Sequence, residues 1–193
     1  LSSFKKEPQV RIKKILAISL LSGLSGGLIM ILSSCSSLKA EDYANNTPLL
    51  TIQDYFNGPA TAEGMLQNWR GKQTRRFSVV MQGTWKNNTE GTLHEEFVFD
   101  DGEKQTRDWH LKMLDAHHFT GTAHDVVGVA RGEQYGNAIH MNYVLSIPVN
   151  GKLMNISIDD WLYAINKQTV INKSTLSKFG LNVGYLTIAF NKK

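Results

Sequence analysis

The chain has 193 residues, with 21 Lys and Arg against 17 Asp and Glu, six His and one Cys, which is room for one domain of moderate size with or without a leader. The positive excess is local: residues 1–34 carry Lys5, Lys6, Arg11, Lys13 and Lys14 against Glu7, and the rest of the chain holds 16 groups of each sign. The body therefore has no electrostatic footprint for nucleic acid, and a lone Cys excludes an internal disulfide and a Cys-only metal site.

Residues 5–14 (KKEPQVRIKK) form a basic head, and residues 15–32 form an apolar run broken only by Gly and Ser. Together they read as an export signal. The run is also long enough to cross a bilayer, so an uncleaved amino-terminal anchor is one alternative and an ordinary signal peptide the other. Leu32-Ser33-Ser34-Cys35 resembles the lipobox of bacterial lipoproteins, in which the chain is cut before the cysteine and the new first residue is acylated on sulfur and nitrogen. A thiolate suits that position because it is a far better nucleophile than a hydroxyl. The resemblance implies a signal peptide over 1–34, a lipidated first residue Cys35, and processing and sorting machinery as partners. Several acyl chains on one residue anchor it essentially permanently. Ser36 stands where lipoproteins of the inner membrane commonly carry Asp, which implies the periplasmic face of the outer membrane.

Residues 35–48 read as a polar tether. The segment LLTIQDYF (49–56) is apolar and is closed by the turn Asn57-Gly58-Pro59; residues 61–69 read as a helix of one or two turns capped by Thr61. From residue 75 onward the pattern has period two. Strands are predicted over 75–83, 90–99, 104–114, 118–125, 129–135, 139–147 and 152–161, with further apolar segments at 162–174 and 183–190. Phe77, Val79, Trp109, Leu111, Met141 and Tyr143 hold one parity and are expected to face the core. Asn150-Gly151 is a specific hairpin signal. Many short strands joined by tight turns, with no long helix, predict an all-β antiparallel meander over 49–193. Closure into a lipocalin-like barrel of about eight strands, with one short helix at most, is the simplest way to remove its edges. A sandwich is the alternative.

TIQDYFNGP (51–59), GMLQNWRGKQTRRF (64–77), MQGTW (81–85), GTLHEEFVFDDGE (91–103), TRDWHL (106–111), FTGTAHDVVGVARGE (119–133), DDWLY (159–163) and NKSTLSKFG (172–180), in this order behind a lipobox, resemble the DUF3833 family of bacterial lipoproteins. The likeness runs through nearly the whole mature chain. It implies location and fold, and it carries over no catalytic residues because the family has no settled activity. Gly83-Thr84-Trp85 also matches the Gly-x-Trp tripeptide of lipocalins, but at the end of a strand and without the companion motifs.

The chemistry-bearing residues form no recognisable motif. His110, His117, His118 and His124 lack metal-ligand spacing, and no nucleophile elbow is present. Adjacent carboxylates such as Glu95-Glu96 and Asp159-Asp160 point to opposite faces of a strand, so neither pair is a dyad by itself. No enzyme activity, metal or cofactor is expected. Small residues around Gly121 leave interior space, and Arg75, Phe77, Arg107, Trp109, Gly121, Met141, Tyr143 and Trp161 are the predicted lining. In that reading the tryptophans are apolar walls, and Arg75 or Arg107 meets an anionic head group. A basic-aromatic theme (Trp69, Arg70, Lys72, Arg75, Arg76, Phe77; Lys173, Lys178, Phe179) reads either as a solvated face or as contact with anionic lipid. The leading expectation is a membrane-tethered barrel that binds a lipid or other small apolar ligand. The competing one is a solid-core structural or interaction module of the envelope, followed by an envelope hydrolase. Replacing Cys35 by Ser should leave an unprocessed precursor of higher mass; normal processing of that variant would refute lipidation at this residue.

Overall fold

The computed structural model describes residues 37–149 and 151–193, so the export signal and the lipobox with Cys35 and Ser36 lie outside the described residues, as does Asn150. Ten strands follow one another along the chain: β1 (Gly58–Asn68), β2 (Gln73–Trp85), β3 (Glu90–Phe99), β4 (Lys104–Met113), β5 (His118–Thr122), β6 (Ala130–Tyr135), β7 (Ala138–Val149), β8 (Lys152–Ala164), β9 (Thr169–Lys178) and β10 (Leu181–Lys192). Each pairs antiparallel with its sequence neighbours, and β1 pairs with β10 from Ala60↔Lys192 to Asn68↔Gly184, which closes the barrel. Closure gives every strand a neighbour on both sides, although the short β5 pairs β4 only over His110–Met113 and the short β6 pairs β7 only over Ala138–Asn142. The apolar core is drawn from within residues 50–190, so residues 37–193 carry both the hydrogen bonding and the burial that the barrel needs to fold by itself.

Period-two alternation produces the strands as expected. In β4, Trp109, Leu111 and Met113 are buried, while Asp108, His110 and Lys112 are exposed. Three hairpin turns at one end are closed by a short polar side chain that accepts from the backbone ahead of it. Asn87 Oδ1 accepts from the Thr89 and Glu90 amides, Asp115 Oδ1 from His117 and His118, and Asn166 Oδ1 from Gln168 and Thr169. These Asx-type turns fix the register of the strands they join.

Two expectations are corrected. The barrel has ten strands rather than about eight, and residues 61–69, expected as a short helix, lie mostly in β1. The inward positions of β1 before Leu66 are Ala60, Ala62 and Gly64, too small to show as an apolar alternation. At Gly64 the reason is an aromatic ring across it: a Cβ there would overlap the Phe77 ring. The short helix is instead α1 (Ile52–Tyr55), with the Thr51 hydroxyl accepting from the Asp54 amide at 3.1 Å.

Helix α1 covers the end of the barrel that carries the Asx-type turns. The Ile52 amide donates to Gln134 Oε1 at 2.9 Å, the Tyr55 hydroxyl donates to the Gln168 carbonyl at 2.7 Å, and Phe56 meets Phe190 edge-on. The Phe56 carbonyl comes so close to Gly83 that any side chain there would overlap it. Part of the expected polar tether is also packed. Residues 40–43 form a 3-10 turn with Ala40 fully buried, and the Tyr43 ring lies 5.4 Å from Tyr163 and 6.0 Å from Trp161. Phe119, 1 % exposed, lies across Gly132. Phe119→Ala should therefore cost about 3–5 kcal/mol, whereas Val80→Ala on the exposed face should stay within about 0.5 kcal/mol, both read by denaturant unfolding.

Candidate functional site: a lumen with a carboxylate belt

The inward positions change character along the barrel axis. At the end covered by α1, Ala60, Met81, Leu93, Met113, Ile139, Val170 and Phe190 are buried. At the other end, Leu66, Phe97, Phe99, Tyr143, Leu145 and Leu186 are only partly so. The lumen is thus closed below and open above. It holds a cavity of about 220 Å³, lined mainly by aliphatic and aromatic side chains from Ile52 and Phe56 at the floor to Phe99, Ile147 and Leu176 near the mouth.

A belt of polar side chains interrupts this apolar wall. Glu95 on β3 faces Arg107 on β4 across a register pair, with Nη1 of Arg107 at 3.6 Å from Oε2 of Glu95. The remaining edge of the guanidinium is taken by Asp125, which accepts from Nε at 3.0 Å and from Nη2 at 2.7 Å, a bidentate fork. On the far wall Asp160 of β8 accepts from the Ser174 hydroxyl at 2.7 Å, from the Asn172 amide and, at 3.2 Å, from the Tyr143 hydroxyl. Glu95 Oε2 is buried without a hydrogen-bond partner.

Burial sets the protonation of this belt. It pushes the Glu95 carboxyl up, with smaller help from Asp125 and Asp160 and against the lowering effects of Arg107 and Trp109, to about 7. Burial likewise raises Asp160 above the usual carboxylate range despite its three donors, and it holds the Tyr143 phenol well above its ordinary value. For Arg107 burial works against the charge, but the bond to Asp125 and the field of Glu95 outweigh it, so the guanidinium stays charged. The lumen therefore offers acceptors and one proton that leaves near neutrality, while its one cation is already paired.

The expected lining residues fall into four groups. Phe77, Arg107, Trp109, Met141 and Tyr143 border the cavity. Gly121 is buried on the inward side, but Trp109 fills the space beside it, with a Cβ there meeting the indole at 3.1 Å. Trp161 points outward, because its neighbour Asp160 takes the inward position; it is buried beneath Tyr43 and stacks on His140 at 4.0 Å. Arg75 sits near the mouth with one Nη on both Asp101 and Glu103 at 2.6 Å and its guanidinium 3.7 Å from the Phe99 ring; its buried Nε lacks a partner. Both arginines expected to meet an anionic head group are therefore engaged by carboxylates. Missed as lining were Glu95 and Asp160. The signal was available, since each shares the parity of apolar neighbours, Leu93 and Phe97 in one case and Ile158 and Leu162 in the other.

Fold and lumen together define a closed, lipocalin-like antiparallel β-barrel with an internal cavity. The chain belongs to the family described as "Protein of unknown function (DUF3833)", whose model matches residues 29–192. No curated protein matches it. Among solved structures it is similar to the S-type phycobiliprotein lyase CPES from Guillardia theta, with a TM-score of 0.55 at 7 % identity over 81 % of this chain and 98 % of that one. Lower in similarity are a de novo designed fluorescence-activating β-barrel (TM-score 0.40, 12 % identity, 75 % of this chain and 100 % of that one) and a redesigned β-barrel bound to DFHBI (0.38, 12 %, 72 % and 96 %).

The free Glu side chain titrates near 4.5 and the buried one near 7, so the folded barrel binds this proton more tightly than the unfolded chain. Stability should fall as pH rises through that window, by on the order of 1.4 kcal/mol per unit crossed. Between about pH 5 and 7, unfolding curves of the native protein should lose stability relative to the Glu95→Gln variant, which has no such proton. Parallel curves would show that Glu95 is not held protonated by burial.

Proposed function

We propose that the protein is a lipid-anchored, non-catalytic envelope protein that holds one small, mainly apolar ligand in the barrel lumen, with a hydrogen-bond donor of the ligand turned toward Glu95. One observation carries this reading: an apolar cavity of about 220 Å³ whose wall includes a buried carboxylate oxygen, Oε2 of Glu95, that has the Arg107 charge at 3.6 Å but accepts no hydrogen bond. Leaving such an acceptor unsatisfied costs roughly 1–3 kcal/mol, a cost that a bound donor removes. The volume is somewhat below the roughly 300–1,000 Å³ of drug-sized sites, which suits a compact molecule or a single acyl segment better than a multi-chain lipid. Arg107 serves here by holding Glu95 and Asp125 in place rather than by binding an anion. The lipobox ending at Cys35 and the Ser at position 36 support placement at the periplasmic face of the outer membrane.

An uncharged naphthylamine dye titrated into residues 37–193 should bind at one per barrel. Ile158→Trp, which puts bulk into the lumen, should weaken that binding about tenfold or more. Dodecylamine should displace the dye at lower concentration than dodecanoate, and Glu95→Gln should erase the difference. Absence of saturable binding, or equal affinity in the Ile158→Trp variant, would refute the lumen as the site.

A further inference from the structure

The open end of the barrel is bordered by the β1–β2, β9–β10 and β7–β8 turns, carried on strands that adjoin in the order β2-β1-β10-β9-β8-β7. Each presents a large apolar side chain to solvent, and in the first two an aromatic ring lies beside a cation. Trp69 is 59 % exposed with the Arg70 guanidinium 4.5 Å from its ring, and Phe179 is 93 % exposed with the Lys178 ammonium at 4.9 Å. Leu153, 76 % exposed, follows Lys152. Nothing acidic stands among them, since residues 64–89, 134–158 and 161–193 contain neither Asp nor Glu. The acidic β3–β4 turn elsewhere on the rim is met by its own partners, Asp101 and Glu103 by Arg75 and Asp100 by Arg76.

Phe179 is also held against its backbone preference. The β9–β10 turn has two residues between the paired Lys178 and Leu181, with φ of 51° at Phe179 and 77° at Gly180. A two-residue turn with both φ values positive favours Asn-Gly, and a bulky aromatic there is an outlier. The phenyl ring buries nothing in the fold, so neither the turn nor the core accounts for it.

We propose that this half of the rim docks on an anionic lipid bilayer, with the Trp69 and Phe179 rings in the interfacial layer and the basic side chains on the head groups, so that the mouth of the lumen faces the membrane. The apolar groups stand on separate hairpin tips, and both aromatic rings have a cation beside them. A fluid interface admits such tips one by one and attracts their charges, whereas a protein partner requires a contiguous packed face of about 800 Å². The proposal does not depend on what the lumen holds.

The test uses residues 37–193 with sedimented vesicles of phosphatidylcholine alone or with roughly one-third phosphatidylglycerol. The protein should bind the anionic vesicles, less so as salt rises, and bind the neutral ones weakly. The combined change Phe179→Asn and Trp69→Ser should lower partitioning by about tenfold or more. Phe179→Asn alone should leave the thermal midpoint unchanged or raised, because Asn suits the turn. No preference for anionic vesicles, or equal binding by the double variant, would overturn the proposal. Capture by a soluble polyanion such as heparin with the vesicles left unbound would assign the patch to an anionic macromolecule and overturn it equally.

Discussion

Closure of ten strands into one barrel is the constraint from which the rest of this structure follows. An eight-stranded barrel is already about as wide as side chains can fill, and two further strands widen the lumen. The sequence answers on part of the wall with aromatic rings laid over small residues of the neighbouring strand: Phe77 over Gly64, Trp109 beside Gly121 and Phe119 over Gly132. At one end α1 finishes the filling, with the Phe56 carbonyl set against Gly83. Toward the other end the inward rings and aliphatic side chains leave space between them, and the cavity is what remains.

The polar belt is costly in such a setting. Charges removed from water recover their hydration only in part, and a buried ion pair is often replaceable by apolar side chains at no loss of stability. Arg107 and Asp125 nearly satisfy one another, but Glu95 keeps an oxygen that accepts no hydrogen bond and Asp160 requires Asn172, Ser174 and Tyr143 to hold it. Packing does not explain why carboxyl groups occupy inward positions of β3 and β8. The proposed function accounts for Glu95, whose free acceptor a ligand donor would meet, and on that proposal the belt and the cavity are one site.

The strands with bulky inward residues were legible in the sequence. Phe77, Val79 and Met81 in β2 and Trp109, Leu111 and Met113 in β4 announce their parity directly, and the paired turn residues bound them. β1 was hidden because its first inward residues are small, at Gly64 for a tertiary reason, the Phe77 ring laid over it from the neighbouring strand. Trp161 misled in the opposite way. A large apolar residue on the outward parity looks like lining until Tyr43, more than a hundred positions earlier, is seen to cover it. Glu95 and Asp160 were visible as carboxylates on apolar faces, but their convergence across the lumen depends on the order in which the sheet closes.

The central claim is that the lumen, and not the surface, is where a small ligand resides. Isoleucine methyl NMR of residues 37–193 during titration with an uncharged naphthylamine dye addresses it most directly. Ile139, Ile156, Ile158 and Ile188 border the cavity, whereas Ile165 is exposed to solvent. The account predicts that the four lumen methyls shift together along one saturation curve while Ile165 stays in place. Shifts confined to Ile165 and other surface methyls, with the lumen set unmoved at saturating dye, would contradict it.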